Sequence, residues 1–150
     1  MSQIILLDTG PLGLVSNPQW SSDSEECNEW LEDRLSEKIS VFVPEISDYE
    51  LRRELIRAGK IKGIAKLNSL KRSLGYVRIT TWTMLKAAEF WAQSRRLGKP
   101  TSSDASLDAD VILAAQGAFL ENKGHNVIIA TNNVKHLDMF VDARVWSDIT

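Results

Sequence analysis

The chain is poor in the residues that make covalent or soft-metal chemistry. Cys27 is its single cysteine, so no intrachain disulfide and no cysteine-based zinc site can form. Its two histidines, His125 and His136, lack the spacing of a zinc motif and read as surface or loop residues. No apolar run approaches the ~18 residues needed to span a bilayer. The opening stretch does not read as a signal peptide, because Asp8 and Pro11 interrupt it and no basic residue precedes it. No Gly-rich Walker loop occurs, which argues against nucleotide hydrolysis of that type. Internal repeats, linkers and low-complexity tracts are also missing. The reading is one cytoplasmic domain over residues 1–150.

What is present is ordinary in bulk and unusual in layout. The hydrophobic share is 43% and the charged share 25%, values typical of a globular protein. The net charge of −2 hides a segregation. Between Arg52 and Lys99 stand 13 Lys and Arg against two acids, Glu54 and Glu89, a balance of +11; the remainder carries −13. A single charge run is usually a solvated helix surface. This one includes Arg52, Arg53, Arg57, Lys60, Lys62, Lys66, Lys71 and Arg72, which points to a polyanion, nucleic acid foremost.

Patterning predicts alternating strands and helices. Residues 3–7, Val41 to Val43, Tyr76 to Ile79, Val127 to Ala130 and Ala143 to Trp146 read as strands. Helices are expected over residues 11–17, broken at Asn17-Pro18, and over Asp23 to Lys38, with Trp30, Leu31 and Leu35 inward. Two basic helices should follow. The first enters through Pro44, turns Ile46, Tyr49 and Leu51 inward and runs to about Gly59. The second runs from Ile61 to Leu74, with Gly75 able to cap it. A further helix, capped by Thr81 or Thr83, extends to about Leu97. A loop from Gly98 to Asp104 leads to an Ala-, Leu- and Ile-rich helix from Leu107 to Leu120. Asn133 to Phe140 reads as a short last helix. The implied architecture is α/β: a three-layer α/β/α sandwich around a mainly parallel sheet.

Carboxylates sit at telling places in that order. Asp8 ends the first strand, where open parallel sheets bind ligands; alone, it serves equally well as a helix N-cap. Glu50, flanked by Arg52 and Arg53, reads alone as a solvated helix residue. Asp104, Asp108 and Asp110 crowd the start of one helix, where the macrodipole accounts for Asp104 and Asp108. Asp110 has apolar neighbours and would need a partner if buried. Thr131-Asn132-Asn133 follows the strand beside Asp8 and could be a plain cap. In a parallel sheet, Asp8 and Thr131 lie at one edge, within reach of Asp110. Two carboxylates ~4 Å apart repel by roughly 4 kcal/mol at an effective dielectric of 20, so a cluster there calls for a cation. Oxygen ligands suit Mg²⁺ or Mn²⁺, not zinc.

Leu6-Leu7-Asp8-Thr9-Gly10-Pro11, Glu50-Leu51, Asp110-Val111-Ile112-Leu113-Ala114-Ala115 and Thr131-Asn132-Asn133-Val134-Lys135-His136-Leu137, in this order, resemble the PIN-domain ribonucleases, especially the VapC-like toxins of bacterial toxin–antitoxin pairs. The resemblance runs through nearly the whole chain. It implies acidic metal ligands at Asp8, Glu50 and Asp110, and a hydroxyl at Thr131 that holds the site together. The family's fourth ligand, often Asp, falls on Asn133, a neutral carbonyl donor, for which Asp108 could compensate. The implied activity is Mg²⁺- or Mn²⁺-dependent hydrolysis of single-stranded or looped RNA by a metal-activated water. Arg52, Arg53, Arg57 and Lys60 would hold the RNA backbone, and Tyr76 or Trp82 could stack bases, although helical spacing makes Trp82 and Trp91 better core residues. The implied partners are a cognate antitoxin and a second copy in a homodimer.

Two other strand-then-Asp families fit less well. Haloacid-dehalogenase-like phosphatases want a second Asp two residues on, where this chain has Gly10. Receiver domains want an acidic pair that this sequence lacks. The serious rival is a PIN-like module that binds nucleic acid or a protein with little or no catalysis, a reading that Asn133 supports.

Overall fold

Two strands are apolar on both faces, and they organise the rest. Gln3–Leu7 (β1) and Asn126–Thr131 (β4) are nearly continuous runs of Ile, Leu, Val and Ala, the pattern of parallel strands covered on both sides. The structure, a computed structural model, describes residues 2–98 and 104–150. Along the chain follow helices α1 (Thr9–Ser16) and α2 (Ser22–Ser36), strand β2 (Ser40–Pro44), helices α3 (Glu45–Arg57) and α4 (Ile61–Ser73), strand β3 (Gly75–Val77), helices α5 (Thr81–Arg96) and α6 (Asp104–Asn122), then β4 and β5 (Ala143–Val145). Among the described residues, five strands pair in the order β3-β2-β1-β4-β5, every pairing parallel. The expected α/β/α sandwich with a parallel sheet is therefore the architecture found.

Side-chain alternation along β1 divides the core. Ile5 and Leu7 meet Leu12 and Val15 of α1, Trp30 of α2 and Leu67 of α4. Ile4 and Leu6 meet Leu113 and Ala114 of α6 on the opposite side. Each fully buried Leu or Ile contributes roughly 1.5–3 kcal/mol of burial. Helix α3 belongs to both halves: Ile46 packs in the second cluster, Leu51 and Leu55 against the first. It thus crosses the carboxyl edge of the sheet.

Buried polar side chains fix that crossing. Gln116 of α6 is fully buried; its Oε1 accepts the Ile46 N–H (3.2 Å), and its Nε2 donates to the Val77 carbonyl (2.7 Å). Asp48 accepts from Arg52 Nε (2.9 Å) and from the Tyr76 hydroxyl (3.2 Å), with Lys71 Nζ at 3.8 Å. Burial, and then the carboxylates of Asp48 and Glu45, hold the Tyr76 phenol above its usual pKa.

Several expectations are corrected. The inward stripe of α2 is Cys27, Trp30, Leu31 and Arg34, while Leu35 is exposed. Burial pushes the Cys27 thiol up to about 12, which leaves it unreactive. On α3, Ser47, Asp48, Leu51 and Leu55 define the inward side, and Tyr49 stands opposite, 55% exposed. Gly75 does not cap α4; it opens β3 beside Phe42, where an added Cβ would lie 2.1 Å from the ring. Thr80, one residue earlier than predicted, caps α5 through the Thr83 N–H (3.2 Å). The short last helix reduces to a 3₁₀ turn, Val134–His136. The predicted loop from Gly98 to Asp104 lies mostly outside the described residues.

Gln116→Met keeps most of the volume and strands a buried N–H and C=O. At about 1–3 kcal/mol for each of the two groups left unsatisfied, the variant should lose roughly 2–6 kcal/mol, lowering Tm by on the order of 10 °C. An unchanged midpoint in thermal and urea unfolding would contradict this role.

Candidate active site at the carboxyl edge of the sheet

The strand order fixes the address. From β1 the chain moves outward through β2 to β3, then returns to the other flank for β4 and β5. The crevice between β1 and β4 is thus the switch point where open α/β sheets bind ligands. Register brings Leu7 beside Ala130, and the Asp8 N–H donates to the Ala130 carbonyl (2.9 Å). Asp8 and Thr131 consequently lie side by side at the ends of neighbouring strands.

A chain of donors holds the carboxylates. Asp8 Oδ1 accepts the Thr9 N–H (2.7 Å), so the capping reading of Asp8 holds as far as it goes. Its Oδ2 accepts the Thr131 hydroxyl (2.7 Å), and Thr131 Oγ1 in turn accepts the Asn133 N–H (2.9 Å). The Thr9 hydroxyl donates to Glu50 Oε1 (2.9 Å), linking the end of β1 to α3. Asp110, on α6, has Oδ2 3.3 Å from His136 Nδ1. Gly10 lets the Asn132 side chain lie close, since an added Cβ would stand 2.4 Å from Asn132 Nδ2 and displace that amide. Asp8, Glu50, Asp110, Thr131, Asn133 and His136 line one open cleft of about 320 Å³, together with Thr9, Gly10 and Asn132.

Other sequence candidates lie elsewhere. Asp108 is exposed and faces a groove beside Met84 and Trp91. Two residues from Asp110 is about 200° around a helix, so it does not stand in for Asn133. The Asp104 side chain lies outside the described residues. Arg52 is engaged by Asp48, and Arg57 by Glu54 (2.9 Å). Arg53 reaches within 3.9 Å of Glu50 Oε2, and Lys60 is exposed at the turn between α3 and α4. Of the predicted stacking residues, both half-buried, Tyr76 donates to Asp48 with Lys71 Nζ 4.4 Å from its ring centroid, and Trp82 packs edge-on against Phe119 at 5.7 Å.

Sequence reasoning missed Thr9 and His136. The threonine is read easily as part of a tight exit from β1, and only the approach of α3 gives its hydroxyl a partner. His136, by sequence a surface or loop residue, is half-buried in the cleft wall; spacing from Asn133 across a 3₁₀ turn is the signal that points to it, since the Asn133 side chain lies 3.3 Å from the imidazole.

The donors are carboxylates, hydroxyls and amide carbonyls with one imidazole, a set suited to a hard divalent cation. Where they stand, no three His, Cys, Asp or Glu side chains among the described residues form a closed ligand group. An open arrangement suits Mg²⁺, which keeps several waters and takes one or two carboxylates rather than a protein cage.

Burial raises the pKa of Glu50 most; the Thr9 hydrogen bond lowers it, the Asp8 charge raises it and Arg53 lowers it, leaving it above the ordinary value. Between its unfolded and folded values the native chain holds a proton that the unfolded chain does not, so stability falls as pH rises through that window. Glu50→Gln removes the charge and keeps an acceptor for Thr9. It should be more stable than the parent at pH 7, and the gap should close below 4.5, the ordinary value. Parallel thermal melts across pH test this; a gap independent of pH contradicts it.

No protein-family model matches the chain, and no curated protein matches its sequence. Solved structures match its fold. VapBC2 from Rickettsia felis, bound to a DNA fragment from its promoter, is 17% identical over 95% of this chain and 98% of that one, with a TM-score of 0.71. VapBC-1 from nontypeable Haemophilus influenzae is 17% identical over 97% and 99%, TM-score 0.68. DNA-bound VapBC from Salmonella typhimurium is 16% identical over 97% and 99%, TM-score 0.65. Over nearly its whole length the chain thus shares the fold of these structures, the PIN-like sandwich that its sequence motifs imply.

Proposed function

We propose that the chain is a metal-dependent endoribonuclease acting on single-stranded or looped RNA, the toxin of a toxin–antitoxin pair. The observation that carries this reading is the convergence of Asp8, Glu50 and Asp110 from β1, α3 and α6 on one cleft, two of them oriented by threonine hydroxyls. The fold shared with VapBC structures supports an antitoxin as partner.

Asp8, Glu50 and Asp110 would hold Mg²⁺ or Mn²⁺. Such an ion lowers the pKa of bound water and offsets charge on the phosphate. The residues supply the geometry. Thr131 and the Thr9 N–H each engage one oxygen of Asp8, which fixes its carboxylate plane. Thr9 sets Glu50 at the same time. Arg53 and Lys60, with Arg57 beyond, would meet the RNA backbone, a contact that weakens as salt rises. Arg52 contributes less, because Asp48 already engages it.

The second reading, a module that binds without cleaving, draws on Asn133. Its side chain is neutral and lies near His136, so one corner of the cleft lacks a carboxylate.

A nuclease assay on single-stranded RNA with added Mn²⁺ separates the two. Cleavage should vanish with EDTA and fall by on the order of 100-fold or more in Asp8→Asn. Thr131→Val should lose roughly 10- to 100-fold, the usual effect of removing a partner that orients a ligand. RNA binding with no cleavage in Mg²⁺, Mn²⁺ or both would favour the module.

A further inference from the structure

We propose that Tyr49 and Arg53 form a platform on which an unpaired base of single-stranded nucleic acid stacks beside the acidic cleft. This rests on the nuclease reading above and adds to it the element that would distinguish unpaired from paired strands.

Tyr49 lies on the outer side of α3 and is 55% exposed. Arg53, one turn on, places its guanidinium carbon 5.1 Å from the ring centroid. The same guanidinium reaches within 3.9 Å of Glu50 Oε2, in the cleft wall. One arginine therefore joins an exposed aromatic face to the site of the carboxylates. On this side of α3 follow Ile56 and Arg57, both exposed, and Lys60 lies just beyond the helix. Residues four apart on a helix are separated by about 6 Å along its axis, so Tyr49, Arg53 and Arg57, the last paired at the surface with Glu54, make a stripe leading away from the cleft.

A single exposed aromatic is unremarkable. What matters is its surroundings. Trp20 is 78% exposed, yet its indole donates to Glu25, and it borders a hollow with Glu29 and Glu32 that would repel a polyanion. Trp91 also has an arginine over its ring, Arg95 at 5.0 Å, but it faces the apolar groove of Met84 and Val111. Tyr49 alone among these three is next in sequence to a cleft carboxylate and opens the basic stripe. A nucleobase offers a flat π-face to both the ring and the guanidinium, and its phosphate complements the cationic stripe. In a duplex the base faces are already stacked, so the platform admits single strands.

The test is fluorescence anisotropy with a short labelled single-stranded RNA of mixed sequence, in an Asp8→Asn background that prevents cleavage. Tyr49→Ala should weaken binding about 5- to 150-fold, the range for loss of one base stack. Tyr49→Phe should bind within about twofold, because stacking needs only the ring. Trp91→Ala should leave binding unchanged. Removing bases from the RNA one at a time should reveal a position whose loss weakens the parent as Tyr49→Ala does and has no further effect in that variant. Equal RNA binding by Tyr49→Ala and its parent overturns the platform and leaves the nuclease reading intact. An unsubstituted chain that neither binds nor cleaves RNA overturns the nuclease reading itself, and the platform with it.

Discussion

The parallel pairing of β1 with β4 is the constraint on which the cleft depends. Its register sets Leu7 against Ala130, so the residues that leave the sheet next, Asp8 and Thr131, meet through a hydrogen bond of 2.7 Å. A slip of one residue would turn Asp8 to the other face and end the contact. Both strands are buried on two sides, and a slip would also push Ile4, Ile5, Ile128 and Ile129 into packing shaped for the opposite face. The precision of a polar site thus comes from apolar packing beneath it. The hydrogen-bond donors to Asp8 and Glu50, the Thr9 N–H and the Thr9 and Thr131 hydroxyls, are neutral, however, and the Arg53 guanidinium stands off at 3.9 Å from Glu50 Oε2. They orient the carboxylates without removing their charge, and burial still pushes the Glu50 pKa up. The cleft is left with an electrostatic demand that a cation would meet.

Helix α3 explains why polar residues lie so deep. It crosses the carboxyl edge of the sheet, where strands stop and backbone groups lose their ladder partners. The Ile46 N–H and the Val77 carbonyl are two such groups, and one amide side chain offers both a donor and an acceptor. Gln116 meets both from α6, the helix that also carries Asp110. Asp48, two residues before Glu50, ties α3 to α4 and β3 in the same manner. The helices bearing two of the three cleft carboxylates are therefore braced by buried hydrogen bonds rather than by hydrophobic contact alone.

Much of this is legible in the sequence where one residue answers to one strong local rule. Unbroken Ile, Leu and Val runs mark β1 and β4, and with them the sheet edge that gathers Asp8 and Thr131. Asp110 stands out because a carboxylate amid Val, Ile and Ala requires a partner. The rest depends on which helix arrives, which local pattern does not encode. Tyr49 reads as an inward residue until the crossing angle of α3 turns it outward. Gly75 reads as a helix cap until Phe42 of the neighbouring strand explains the missing side chain. Thr9 and His136 have unremarkable local settings; their partners, Glu50 and Asp110, lie far away in sequence.

The charge segregation takes a different form in three dimensions from the one it has along the chain. Arg52 and Lys71 turn toward Asp48, Lys66 donates to the Asn17 carbonyl, and Lys86 pairs with Glu89 at 3.6 Å. Part of the basic run is thus internal bracing, and a net charge of +11 overstates the surface that a polyanion would feel. Arg53 differs in kind, because its carboxylate neighbour is Glu50 of the cleft. A cation bound by Asp8, Glu50 and Asp110 would compete with Arg53 for Glu50 and lessen its hold there. The guanidinium would then be available for a phosphate or a base at the moment the cleft ceases to repel one. Cation binding and strand binding would therefore reinforce each other through one arginine, and by reciprocity RNA should tighten the hold on the metal as much as the metal tightens the hold on RNA.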